Sequence, residues 1–155
     1  NDSGVMLFVG AEGTVKLEPE APLVGAIPSA DLGSKKPDYL ASAKSYTPDA
    51  KAIAALKGVK GDTQIVVFFG SWCSHCKHWV PGLLRTLEAA ANPKLVPSFY
   101  GVSEDMAEPA AELKKFSVTR TPTFIVMQGG REIGRIEEEP TTTVEGDLAK
   151  LLAGK

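Results

Sequence analysis

The chain has 155 residues, 43% of them hydrophobic and 23% charged, with a formal net charge of -2 and two cysteines. That length fits one domain with a core of its own, and that balance excludes a largely disordered chain. The near-neutral charge excludes nucleic acid as a main partner, since a phosphate footprint needs clustered Lys and Arg, and no apolar run approaches the length of about 18 residues that reads as a membrane span.

Residues 1–47 are rich in Gly, Pro and Ser. In them VMLFVG and TVKLEP read as short strands, with Ala11, Glu12 and Gly13 as a hairpin turn. From there to Tyr46 the pattern is irregular and punctuated by Pro22, Pro28 and Pro37. With too few apolar residues for a separate core, residues 1–47 read as an extension packed on a domain of residues 48–155. The first residue is Asn1 rather than Met, and removal of a signal peptide upstream would place the protein outside the cytoplasm.

Thr47-Pro48-Asp49 predicts a helix start: a cap hydroxyl, a proline at the first helical position and an early acid. Ala50 to Leu56 continues it, and Gly58 and Gly61 close it. Ile65 to Phe69 is β-branched and aromatic, as in a central strand buried on both faces. A helix is then expected from Cys73 or just after it to about Ala91, kinked by Pro81. Leu95 to Val102 reads as a strand in which Pro97 favours an edge or an irregular start. Glu108 to Phe116 is a short helix, with Leu113 and Phe116 on one face. Thr123–Met127 and Glu132–Ile136 form a hairpin about Gly129-Gly130, and Val144 to Leu152 is a closing helix with Val144 and Leu148 on its apolar face. Alternating helices and strands predict an α/β chain whose early strands are parallel and whose last pair is antiparallel.

Both cysteines fall in WCSHCKHWVP, residues 72–81. As a staple, Cys73 and Cys76 would close too small a loop to constrain much of the unfolded chain. As a metal site they are short of ligands, because zinc needs four and only His75 or His78 could join them; a c-type haem needs a histidine where Lys77 stands. As an exchanging pair they are well placed. They follow a buried strand and open a helix, whose free N–H groups and dipole favour a thiolate on Cys73, and Cys76 lies one turn on, within reach of a mixed disulfide formed there. Cys73 is therefore the expected nucleophile and Cys76 the resolving thiol. Ser74 and His75 between them are expected to tune the pair, since an imidazolium beside the thiolate stabilises the reduced form. Trp72 is expected to shield the sulfur and offer a flat apolar contact. Trp79 packs the helix on its sheet, Val67, Phe68 and Phe69 are core, and His78 and the acidic Glu137 to Glu139 read as surface.

VVFFGSWCSHCKHWVP, followed by RTPTFIV and GGREIGR, resembles the thioredoxin superfamily over about residues 50–153. The resemblance implies a thioredoxin fold, a central mixed β-sheet flanked by helices, here with an N-terminal extension. It implies a protein thiol–disulfide oxidoreductase acting on protein dithiols or disulfides and on a redox partner protein, with no cofactor and no metal. In that family the proline matching Pro122 is cis and lies against the active-site sulfurs, while the residue matching Thr121 offers its backbone to the substrate chain. Three departures stand out. Val67 occupies the place of a buried acid beneath the second cysteine. Ser74-His75 replaces Gly-Pro and is similar to the more oxidising members. No large helical insertion lies between Phe99 and Pro122. Together with the extension these features imply a periplasmic or otherwise extracytoplasmic enzyme with a specialised partner. The rival reading is a redox-inert binding or chaperone-like module, which has no use for two oxidisable thiols.

Overall fold

The structure is a computed structural model that describes the backbone of residues 6–10 and 13–17 and the whole of residues 20–154. The two strands expected first are Met6–Gly10 (β1) and Gly13–Leu17 (β2), paired antiparallel with Met6 opposite Leu17. Ala11 and Glu12 of the expected turn lie outside the described residues.

The stretch read as irregular is largely regular. Gly25–Ile27 is a strand (β3), and Ser29–Lys35 (α1) and Pro37–Ser45 (α2) are helices. Pro28 and Pro37, read as punctuation, stand at the two helix starts, where a missing N–H costs nothing. Each helix is too short to show an apolar period in the sequence, yet Ile27, Leu32, Tyr39 and Ala43 are all buried.

The next helix, Ala50–Lys57 (α3), starts later than expected. Its cap is Asp49, whose carboxylate accepts the Ala52 N–H at 2.8 Å, so Thr47 and Pro48 lie outside it. Thr63–Phe69 (β4) follows, then Ser74–Ala90 (α4), which runs on through Pro81 and ends at a left-handed Ala91. Leu95–Gly101 (β5) is not an edge strand: it pairs parallel with β4 on one side and antiparallel with β3 on the other. β3 reaches only Phe99 to Gly101, however, so at Pro97 no strand needs a donor on that side, and the proline carbonyl instead accepts the Ser29 hydroxyl at 3.1 Å. Ala110–Lys115 (α5) is shorter than expected because Glu108 lies before it, its carboxylate accepting the Ala110 N–H at 3.0 Å. Thr123–Gln128 (β6) and Arg131–Glu137 (β7) form the hairpin, with Gly129 and Gly130 at φ 58° and 75° supplying the left-handed turn. Val144–Ala153 (α6) is capped by Thr143.

The five-stranded sheet has the order β3-β5-β4-β6-β7, parallel only between β4 and β5. In β4 the side chains alternate between two cores. Ile65, Val67 and Phe69 enter a large cluster with Leu32, Tyr39, Leu83, Val144 and both cysteines, while Val66 and Phe68 face Val102, Leu113, Val118 and Ile125. Central β4 is thus buried on both faces, which is why its sequence is almost wholly apolar.

A carboxylate joins the segment before residue 50 to the rest. Glu145, 1% exposed, accepts the Tyr46 hydroxyl at 2.8 Å and the Asp49 N–H at 2.8 Å, beside the Thr86 hydroxyl, which donates to the Gly82 carbonyl at 2.7 Å. Burial, and then the bond to Glu145, push the Tyr46 phenol well above its ordinary range.

Candidate active site

The site forms where β4 runs out. Gly70, Ser71 and Trp72 reverse the chain, and the Cys73 N–H closes the turn on the Gly70 carbonyl at 3.0 Å. A side chain at position 70 would run into the Trp72 indole, so the close approach requires glycine. The indole N–H donates to the Val102 carbonyl at 2.9 Å, and the Ser71 hydroxyl accepts the Leu23 N–H at 3.0 Å. Trp72 is half-buried, its ring packed on the turn and the large core cluster.

Cys73 is the residue that caps α4. Its backbone is extended, and its sulfur accepts the Cys76 N–H at 3.4 Å while its carbonyl accepts the Lys77 N–H at 3.1 Å. One of the free N–H groups of the helix start is thereby satisfied by this sulfur. The Cys73 thiol also points at the Thr121 carbonyl, 3.6 Å away. Thr121 and Pro122 are joined by a cis peptide, and the Pro122 carbonyl is held by the Glu138 N–H at 2.8 Å.

The two sulfurs differ in access and surroundings. Cys73 retains 7% exposure and Cys76 none. The Cys76 sulfur accepts the Gly70 N–H at 3.3 Å, which favours a thiolate, but burial dominates and pushes the Cys76 thiol far above its ordinary range. Both cysteines are free thiols.

Ser74 and His75 are exposed on the outer face of the first turn of α4. With His78, Trp79 and Glu139 they line an open groove beside the cysteines. His78 and Glu139, read from the sequence as plain surface, therefore belong to the rim of the site; His78 also meets the Trp79 ring edge-on at 4.3 Å between centroids. Among the described residues no group of three or more His, Cys, Asp or Glu could hold a metal ion. Val67 is wholly buried in the same cluster as Cys76 and brings no polar atom there.

Sequence reasoning missed Tyr39, which α2 carries into the cluster that holds both cysteines, and Lys36, the residue before α2, whose Nζ stands over the Tyr39 ring. The available signal was Pro37 as a helix-starting proline, with Tyr39 and Ala43 four residues apart on one face.

The thioredoxin family model matches residues 51–150. A thioredoxin from Echinococcus granulosus is 37% identical over 89 residues, which are 57% of this chain and 76% of that protein. The mitochondrial thioredoxin-3 of Saccharomyces cerevisiae is 28% identical over 92 residues, 59% of this chain and 68% of that one. Among solved structures, a protein of unknown function from Pseudomonas aeruginosa shares the fold with a TM-score of 0.58 at 16% identity, covering 84% of this chain and 82% of its own.

Proposed function

Since the chain belongs to the thioredoxin family and its Cys73–Cys76 pair makes it a thiol–disulfide oxidoreductase, we propose that Cys73 is the attacking sulfur, Cys76 the resolving one, and Thr121-Pro122 the edge that holds a protein substrate. The observation that carries this assignment is the asymmetry of the two sulfurs. Cys73 keeps some access and its sulfur caps a helix start, accepting the Cys76 N–H, whereas Cys76 is enclosed and has the Cys73 sulfur as its neighbour to attack.

In the reducing direction the Cys73 thiolate attacks one sulfur of the partner disulfide. A Cys73–partner disulfide forms, and the other partner sulfur leaves as a thiolate and is protonated. Cys76 then loses its proton and attacks Cys73, so that the Cys73–Cys76 bond forms and the second partner sulfur leaves. The partner gains two electrons and two protons, and this protein loses them. Oxidation of a dithiol is the same sequence in reverse. Trp72 covers the turn on one side of Cys73, and Ser74 and His75 lie at the outer rim, where an imidazolium would favour the reduced pair. That substitution of Ser-His for Gly-Pro supports placing the enzyme outside the cytoplasm, where oxidising exchange is used.

Replacing the resolving thiol tests the order of roles. In Cys76→Ser, covalent complexes with substrate proteins are expected to accumulate through Cys73 and to dissociate on reduction, as read by mass spectrometry. Accumulation on Cys76 of the Cys73→Ser variant instead would reverse the assignment.

A further inference from the structure

Cys76 must give up a proton before it can resolve a mixed disulfide, and its surroundings oppose this. The sulfur has no exposure, and Val67 in the same cluster has no polar atom to assist. A hydrogen-bond donor beside a buried thiolate matters more than it would in water, because the low dielectric that penalises the charge also strengthens the bond.

Helix α2 brings such a donor. It packs on α4 and carries Tyr39, 1% exposed, into the cluster that contains both cysteines. The Tyr39 ring meets Phe69 edge to face at 6.0 Å between centroids, and the residue after Phe69 is Gly70, whose N–H bonds the Cys76 sulfur. The Tyr39 hydroxyl is buried and has no hydrogen-bond partner among the described residues. Phenylalanine would fill the same space without leaving an orphaned hydroxyl, so packing alone does not account for a tyrosine here. Its ionisation is opposed first by burial and then by Cys76, Asp38 and Cys73, in that order, so both sulfurs lie within its electrostatic reach. The other charged neighbour is Lys36, whose Nζ stands 4.9 Å from the ring centroid and 3.2 Å from the Asp38 carboxylate.

We propose that the Tyr39 hydroxyl, directly or through one bridging water, donates a hydrogen bond to the Cys76 thiolate while that thiolate resolves the mixed disulfide. The inference rests on the resolving role of Cys76 proposed above. In the step, the Cys76 proton passes to solvent and the Cys76 sulfur bonds to Cys73. The Cys73–partner bond breaks, and the partner sulfur leaves as a thiolate that takes a proton from solvent. Tyr39 keeps its own proton throughout and carries no charge.

The reaction of the reduced protein with 5,5′-dithiobis(2-nitrobenzoate) separates the two steps. The first nitrothiobenzoate released reports attack by Cys73, and the second reports resolution by Cys76. Tyr39→Phe is expected to leave the first phase within about twofold of wild type. It should slow the second about tenfold near pH 7, equivalent to about 1.4 kcal/mol, and move its pH midpoint upward. Tyr46→Phe, which removes the hydroxyl bound to Glu145, is expected to lower stability and leave both phases alone. Equal second-phase rates and midpoints in Tyr39→Phe and wild type would overturn the inference. A wild-type protein that releases no second equivalent would instead overturn the resolving role of Cys76, and the inference with it. Should Tyr39→Phe fail to fold, Tyr39 can be left as the sole tyrosine by changing Tyr46 and Tyr100 to Phe and replaced with 3-fluorotyrosine. A more acidic phenol donates more strongly, so the second phase should quicken by about twofold, and an unchanged rate would again overturn the inference.

Discussion

Residues 50–153 and the segment of residues 20–49 both reach the sulfur pair, but they do so through different physics. The first places Cys73 and Cys76 by short-range geometry: a strand ends, a three-residue turn reverses the chain, and a helix starts whose Cys76 N–H is capped by the Cys73 sulfur. The second places its groups by long-range docking. Leu23 holds Ser71, Tyr39 enters the cluster around Cys76, and Tyr46 and Asp49 are bound by Glu145 near the other end of the chain. The part that resembles a minimal thioredoxin carries the bonds that exchange, while the added part helps to set what surrounds the fully buried sulfur of Cys76.

That contrast breaks first at Glu145. Glu145→Ala removes the acceptor of two donors, both in residues 46–49, and is expected to cost about 3 kcal/mol of stability in urea unfolding. A loss well under 1 kcal/mol would mean that the segment before residue 50 contributes little to the fold. Gly101→Ala tests the same docking at the sheet, because a Cβ there would fall on the Leu23 carbonyl. The expected cost is about 2 kcal/mol, with faster hydrogen exchange confined to β3 and its pairing with β5. Unchanged exchange at Gly25 to Ile27 would show that the strand adapts without loosening.

The remaining effect is one of pH. Burial raises the Cys76 thiol in the folded state, so the folded protein holds that proton more firmly than the unfolded chain does. The resulting stability is complete below the ordinary thiol range, near pH 8.5, and is lost as pH rises above it, by at most about 1.4 kcal/mol per pH unit. Tyr39 and Tyr46, raised in the same sense, add to the loss above about pH 10. The oxidised protein has no Cys76 thiol to titrate. Melting temperatures of the two forms, taken from pH 7 upward, should therefore diverge between about pH 8.5 and 10, the reduced form falling faster. Parallel curves would contradict the burial argument for Cys76.

Much of the site was legible before any coordinates. Ile65 to Phe69 could only be a strand buried on two faces, and CxxC at the following helix start fixes which sulfur is capped and which lies one turn on. The helices α1 and α2 were hidden for a specific reason: each is no more than nine residues long and opens beside a proline, so the proline read as a break and the apolar spacing was too brief to register. The cap of α3 went to Asp49 rather than Thr47 because a carboxylate two residues on can reach the Ala52 N–H, a choice that the sequence leaves open. Pro97 was misread because a strand can be interior along one part of its length and unpaired along another.

What the sequence by itself determined was what depends on neighbours within about one helical turn: the buried strand, the sulfur at the helix start and its companion at i+3. What only the tertiary structure decided was who stands around them. Thr121 opposite Cys73, Tyr39 in the cluster of Cys76, and Glu145 beneath Tyr46 are pairs 48, 37 and 99 positions apart. No local period encodes such pairs. They arise because a sheet with both faces covered and helices docked on it leaves one arrangement in which these side chains fill the same space.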